Sequence, residues 1–290
     1  MGKQRTEAFF LIVPAILVLL SIYILPFIYN LRLSFEEWVL TRPYIRKWVG
    51  FSNYVSLFQD DVFWSCLRVT SIIVVVSVTI SFFVGFLIAY LLSEYLGKRQ
   101  LIRTFVLIPM MVCPGVIGLF WRAMFNPQIG LANYILRIIG MGALVPEAGF
   151  TGDPKWVLWA VAGVDIWQWT PFMILVLLAG MESLSISLFE AAEMDGASSW
   201  QKIIYLTFPL LRPIIIIALL IRTIDAFRLF DIVWTMTRGG PGHLTETFSL
   251  FIYKVAFQHL NMGYAMAAAV IMLCMAIVIA NCYLKFLKEE

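Results

Sequence analysis

Six long apolar runs constrain this chain more than anything else in it. Their approximate extents are 9–29, 69–92, 104–125, 156–181, 214–236 and 262–284, with few or no charges in each. About 20 such residues cross the hydrocarbon core of a bilayer as a helix. Lipid offers no partner to a backbone N–H or C=O, so each run must satisfy its own, which selects helices over open strands. The runs are apolar all round and lack the period-2 alternation of a barrel strand. Composition agrees: 61% of the 290 residues are hydrophobic and 13% are charged, about half the charge of a soluble domain. The expected fold class is an all-α membrane protein with six transmembrane helices, forming a single domain over residues 1–290. Phe9–Tyr29 follows Lys3 and Arg5, as a signal peptide would. It is too long for one, and no small-x-small cleavage site follows, so it is expected to stay as the first span.

Charge gives an orientation bias. Lys3 and Arg5, then Lys98, Arg99 and Arg103, then Lys285 and Lys288 favour both termini and residues 93–103 on the cytoplasmic side. Loop 31–68 weakens that bias with Arg32, Arg42, Arg46, Lys47 and Arg68, diluted by Glu36, Glu37, Asp60 and Asp61. The same loop carries Trp38, Tyr44, Trp48, Phe51, Tyr54, Phe58, Phe63 and Trp64, amphipathic rings of the kind that gather at an interface. Loop 126–154 is rich in Gly and Pro, with a short amphipathic piece around Tyr134–Ile139. Cys66 is expected in a loop, and Cys113, Cys274 and Cys282 as small apolar packers inside spans. None has metal spacing, and His243 and His259 lack a ligand partner. A net charge of +3 is too small and too dispersed for a nucleic-acid partner.

Between the fourth and fifth runs lies a polar, helix-prone island, residues 183–209, which a membrane protein must expose to water. Ser187 and Glu190 are spaced as a capping box, which predicts a helix over Leu188–Asp195. Gly196 supplies a left-handed stop, and Ser198 or Ser199 caps a second helix through Trp200 and Ile204 toward Pro209 and Pro213. Ala191 and Ala192 leave one flank thin enough for close docking. The stretch resembles the EAA loop of binding-protein-dependent ABC importers, E-A-A-x-x-x-G-x(9)-I-x-L-P. Glu190, Ala191, Ala192, Gly196 and Pro209 match it, and Leu206 and Phe208 keep an apolar side chain at the Ile and Leu places. The resemblance implies a type I importer permease fold with both termini cytoplasmic. In that family this loop is the socket for the ATPase, which assigns coupling to Glu190, Ala191, Ala192, Asp195, Gly196, Ala197 and Pro209.

A second segment carries a narrower resemblance. Phe227, Phe230 and Asp231, then Thr237, Gly239, Gly240 and Pro241, then Thr245-Glu-Thr and Tyr253-Lys-Val-Ala-Phe257 are similar to the F-x-x-F-D, T-x-G-G-P, T-x-T and Y-x-x-A-F segments of maltose-type sugar permeases. Gly50-Phe51-Ser52-Asn53-Tyr54 resembles their G-x-x-N-Y entry to the first outer loop. The compact loop 31–68 departs from the best-known member, which has a large extra outer domain and two additional spans. The chain contains no G-x-x-x-x-G-K-[ST] phosphate loop. The resemblance therefore implies two copies of a separate ABC ATPase, which bind ATP and Mg, with no cofactor on this chain. It also implies a second homologous permease, an extracytoplasmic solute-binding protein, and a sugar, polyol or related glycoside as substrate. The expected location is a bacterial or archaeal cytoplasmic (inner) membrane.

Charges inside apolar runs usually face protein or water and mark function. The fifth run holds Arg222, Asp225, Arg228 and Asp231 at i, i+3 spacing with alternating sign. On one helix they form either a self-neutralising ladder or a polar wall able to hydrogen-bond hydroxyls. The fourth run offers Asp165, Trp167, Gln168, Trp169 and Thr170 just before Pro171. That set is either a sugar site, because pyranoses have an apolar face and a hydroxyl rim, or an interfacial belt with a kink. Asn261 and Tyr264 complete the candidate substrate path. Pro109 and Pro114 bracket a break in the third run. A rival class is a self-sufficient secondary transporter with Asp165 or Asp225 as the proton-coupling carboxylate. A membrane-embedded enzyme is disfavoured because no nucleophile or metal cluster accompanies the titratable residues.

Overall fold

The computed structural model describes residues 12–14, 16–94 and 100–288, with the side chains of 100–103 and 288 excepted. Lys3, Arg5, Lys98 and Arg99, and the start of the first expected span, lie outside the described residues, as do the side chains of Arg103 and Lys288. Among the described residues, five helical segments are long and apolar enough to cross a membrane: α1 (Ile12–Leu33), α3 (Asp61–Glu94), α7 (Val157–Glu182), the interrupted stretch Ser199–Met236, and α13 (Met262–Lys288). A sixth candidate is a bent pair, α4 (Gln100–Met111) and α5 (Pro114–Met124), which turn by 97° at the break. The described chain is thus mostly helical, with five or six candidate spans.

The chain divides into two compact units, Met1–Phe63 with Phe251–Cys274, and Trp64–Leu250 with Met275–Glu290. In the first unit, a feature without a hydropathy signal follows α1. Strands β1 (Glu36–Trp38) and β2 (Arg46–Trp48) pair antiparallel, with Glu37 opposite Lys47. The opposite charges at that pair and the Arg46 guanidinium 4.0 Å over the Trp38 ring hold the register. Some of the expected rings gather around Phe35, which stacks on Trp48 at 5.6 Å and meets Phe51 edge-on at 5.2 Å, whereas Tyr44 is almost fully exposed. Gly50 turns the chain at φ +56° into α2 (Ser52–Phe58). Asn53 then donates to the carbonyls of Ser34 and Glu36 at 2.9 and 3.0 Å, and the Tyr54 and Ser34 hydroxyls lie 2.6 Å apart. These contacts give Gly50, Asn53 and Tyr54 each a physical role at that spacing. Gly263, in the first turn of α13, lies so close to the strand that a Cβ there would overlap the Glu36 carbonyl.

The second unit is built on α3, α7 and α10 (Phe208–Phe227). Their core joins Phe86, Ala89 and Leu92 to Met173, Ile174 and Leu177 and to Leu211, Ile215 and Ala218. Small residues let the backbones approach, as membrane helices require in the absence of a hydrophobic drive. A Cβ at Gly85 would sit 2.6 Å from that of Met173, and one at Gly180 would sit 2.9 Å from Leu211 and Ile214 side chains. Phe86 stacks on Phe208 with centroids 4.5 Å apart.

Three local expectations are corrected. Cys66 is not in a loop: α3 begins at Asp61, and Cys66 is fully buried within it. Cys113, Cys274 and Cys282 are exposed rather than packed within the chain. The charge ladder is not on one helix. α10 ends at Phe227 with Arg228 as its cap, and α11 (Asp231–Met236) starts afresh three residues later. A tertiary bond supports the break, because the Thr247 hydroxyl donates to the Leu229 carbonyl at 2.7 Å. The backbone acceptor freed by ending the helix is thereby satisfied away from water.

Candidate functional site

Two clusters in the second unit collect the candidate residues. The first is the polar island. It forms α8 (Ile186–Met194), a reversal at Gly196 with φ +77°, and α9 (Ser199–Lys202), which continues through a π-helical turn, Ile203–Thr207, into α10. The helix–turn–helix is as expected, but its first cap differs. Ser185, not Ser187, is the N-cap of α8, and no capping box forms with Glu190; the Ser185 and Ser187 hydroxyls lie 2.7 Å apart. The box forms instead on α9, where Ser198 and Gln201 exchange bonds of 3.3 and 2.7 Å. Ser185 caps by its backbone position, with no side-chain bond to the first turn, and Glu190 is exposed.

No residue of α8 is buried. Ile186 and Met194 are 72% and 89% exposed, and Trp200 and Tyr205 beyond the reversal are 69% and 73% exposed. Such a patch, rimmed by Glu190, Glu193 and Asp195, is out of place on a water-facing surface unless another protein covers it. A cleft of about 320 Å³ opens between the two helices, lined by Ala192, Asp195, Gly196, Ala197 and Tyr205 among others. Pro209 stands at the start of α10. The seven expected coupling residues therefore occupy one continuous structure. Lys202 was not among them. Its ammonium is buried beneath α8 and bonds Glu193 at 2.7 Å.

The second cluster lies between α7 and α10. Arg222 and Asp165 are both fully buried and directly bonded to each other. Arg222 also reaches Asp225 at 3.3 Å, and its guanidinium lies 5.5 Å from the Trp169 ring centre. A cavity of about 270 Å³ is lined by Trp169, Phe172, Arg222, Asp225 and Arg228. Two residues assigned to separate runs thus form one ion pair across helices, a partnership that spacing within either run does not reveal. The readable signal was opposite charges in neighbouring spans, each expensive to insert alone.

Most of the other substrate-path candidates are engaged by partners within the chain. Gln168 donates to the Val112 carbonyl at 3.2 Å, supplying a partner at the bend between α4 and α5. Thr170 bonds the Ile166 carbonyl one turn back at 2.7 Å. Trp167 meets Trp121 edge-on at 5.4 Å. Asp231 begins α11 and is exposed. In the first unit, Asn261 accepts from the Tyr264 backbone N–H at 3.3 Å, and the Tyr264 hydroxyl donates to Asp60 at 2.8 Å. Among the described residues, no group of His, Cys, Asp and Glu is placed to hold a metal ion. His243 pairs with Glu246 at 2.7 Å.

Several apolar helices long enough to span, an exposed helical island between two of them and a charged cluster within them describe a multi-pass membrane protein. Residues 81–288 match the family model described as the binding-protein-dependent transport system inner membrane component, and the chain belongs to that family. It is 36% identical over 279 residues to the trehalose/maltose transport system permease protein MalF of Thermococcus litoralis, covering 96% of this chain and 92% of that one. It is 32% identical over 287 residues to the sulfoquinovosyl glycerol transport system permease protein SmoG of Agrobacterium fabrum, covering 99% and 92%. The fold matches a chain in the crystal structure of a bacterial ABC transporter involved in the import of the acidic polysaccharide alginate, with TM-score 0.83, 24% identity, and coverage of 98% and 96%.

Proposed function

We propose that this chain forms half of the translocation pathway of an ATP-driven sugar importer in a bacterial or archaeal inner membrane. A second homologous permease completes the pathway. Two copies of an ABC ATPase, holding ATP and Mg, dock on the cytoplasmic side against residues 183–209, and both termini lie on that side. An extracytoplasmic binding protein delivers a mono- or disaccharide, polyol or related glycoside. The sugar class is supported by what the relatives are named for and by the T-x-G-G-P segment. The observation that carries the docking is α8, a nine-residue helix with no buried residue and with exposed Ile186 and Met194. A free helix of that length is marginal in water, so a partner surface is the natural cover.

In this reading ATP-driven closure of the ATPases moves α8, and the spans rock to alternate access. The cavity beside Arg222 offers a Trp face and charged hydrogen-bonding groups, the combination a sugar needs. Asp165 and Asp225 both engage Arg222, which argues against either as a freely titrating proton carrier in a secondary transporter. The test is uptake into vesicles that hold this chain, its partner permease and the binding protein, with and without the ATPase. Uptake only with ATPase and ATP is expected. Uptake driven by a proton gradient without ATPase would overturn the reading.

A further inference from the structure

Lys202 is the buried cation of the polar island, and its surroundings are specific. Its side chain is 9% exposed and is bonded to Glu193 of α8 at 2.7 Å, and its ammonium lies 3.6 Å from Glu94, the last described residue of α3. Its backbone N–H bonds the Ser198 carbonyl at 2.9 Å, and its own carbonyl accepts from the Thr207 hydroxyl at 3.3 Å across the π-helical turn. One residue therefore joins the exposed helix α8, the end of the span α3 and the entry to α10.

A buried ammonium is costly unless it is paired and hydrogen-bonded. That cost ties the two helices together: swinging α8 away removes the nearer carboxylate, Glu193, and leaves Lys202 only the longer contact to Glu94, which is 38% exposed. The helix has no buried residue of its own, so the Glu193–Lys202 bond is an attachment that its packing does not replace. Glu193 and Lys202 are nine positions apart and face one another only because Gly196 reverses the chain.

We infer that Lys202 is a positioning residue that ties the ATPase-facing helix α8 to the end of α3 through Glu193 and Glu94, so that displacement of α8 is passed to the spans. This rests on the docking reading above and adds a route for the motion. Lys202 acts through its two carboxylates, beneath the docking surface.

The test uses the full transporter in vesicles with its binding protein and ATPase, and measures sugar taken up per ATP hydrolysed. Lys202→Met is expected to retain the ATPase on co-purification while uptake per ATP falls about tenfold, within the usual range of coupling energies. Lys202→Arg, which keeps the charge, should restore most of it. Glu94→Gln should lower the ratio in the wild-type background and add nothing to Lys202→Met. A role in stability alone would lower protein amount, hydrolysis and uptake together and leave the ratio unchanged, which would overturn the inference. So would an equal fall in Lys202→Arg, or independent effects of Lys202→Met and Glu94→Gln. If Lys202→Met does not reach the membrane, Glu94→Gln and Lys202→Arg carry the same measurement, and an unchanged ratio in Glu94→Gln overturns the inference. Failure of the wild-type chain to retain any ATPase would instead remove the docking reading itself.

Discussion

Two buried cations in this protein are built on the same plan and sit in different surroundings. Arg222 and Lys202 each engage two carboxylates, one from another helix and one closer along the chain. Around Arg222 the first carboxylate, on Asp165, is fully buried, and the second, on Asp225, is 37% exposed. Around Lys202 the partners are 38% and 61% exposed. The local dielectric decides what each cluster is worth. Inside the spans neither water nor salt can replace a missing partner, so the pair works as a unit that must be kept or removed whole. Around Lys202, where both carboxylates reach solvent, water compensates in part, so single changes cost little stability. The inner cluster suits a fixed wall of a cavity, and the outer one suits a contact that must hold while it moves.

The largest expected effect tests the inner cluster. Asp165→Leu strands the Arg222 charge and should cost about 3–5 kcal/mol, seen as loss of folded protein from the membrane fraction. Adding Arg222→Leu should recover most of that loss. A double variant as depleted as the single one would break the comparison, because the pair would not then be the reason for the cost.

Gly196→Val follows. The position has φ +77° and open space around a would-be Cβ, so the penalty is backbone strain alone, about 1–3 kcal/mol. The chain should still reach the membrane, but ATPase co-purification and uptake should be lost. Normal uptake by this variant would count against residues 183–209 as the docking element.

Asp225→Asn should cost on the order of 1 kcal/mol, since its carboxylate is partly solvated. A thermal melt in mild detergent reads this. Because Asp225 lines the cavity, half-saturating substrate for uptake should rise more than stability falls. A substrate dependence identical to wild type would leave Asp225 with a structural role only.

The smallest effect sharpens the contrast most directly. Glu94→Gln should change melting by at most about 0.5 kcal/mol. Salt screens charges near water over about 10 Å at 0.1 M, so the difference from wild type should shrink as NaCl is raised. The deficit of Asp165→Leu should not shrink. A salt-insensitive Glu94 effect would show that this end of α3 is as dry as the spans.

Much of the molecule could be read from its sequence, for local reasons. Hydropathy places apolar spans because backbone satisfaction in lipid leaves a helix as the available solution. The break in the third run follows from Pro109 and Pro114, and the reversal after α8 from a glycine with positive φ. The cap at Ser198 and the E-A-A spacing needed only neighbours a few residues away, whereas the Ser187–Glu190 box expected from the same rule does not form. What the sequence left open is what distance along the chain conceals. The β1–β2 hairpin carries only three residues per strand, too few for alternation to register. The break at Arg228 is stabilised by Thr247, and an intact i, i+3 pattern continues across it, so spacing suggested one helix where packing made two. Asp165 and Arg222 are 57 positions apart, and Lys202 and Glu94 are 108 apart, so neither pairing is visible until the spans are side by side. Sequence determined which segments are apolar enough to enter a membrane, since that is a transfer free energy summed over neighbours. Only the tertiary structure decided which charges meet, because a buried charge is tolerated by its spatial partner and not by its place in the chain.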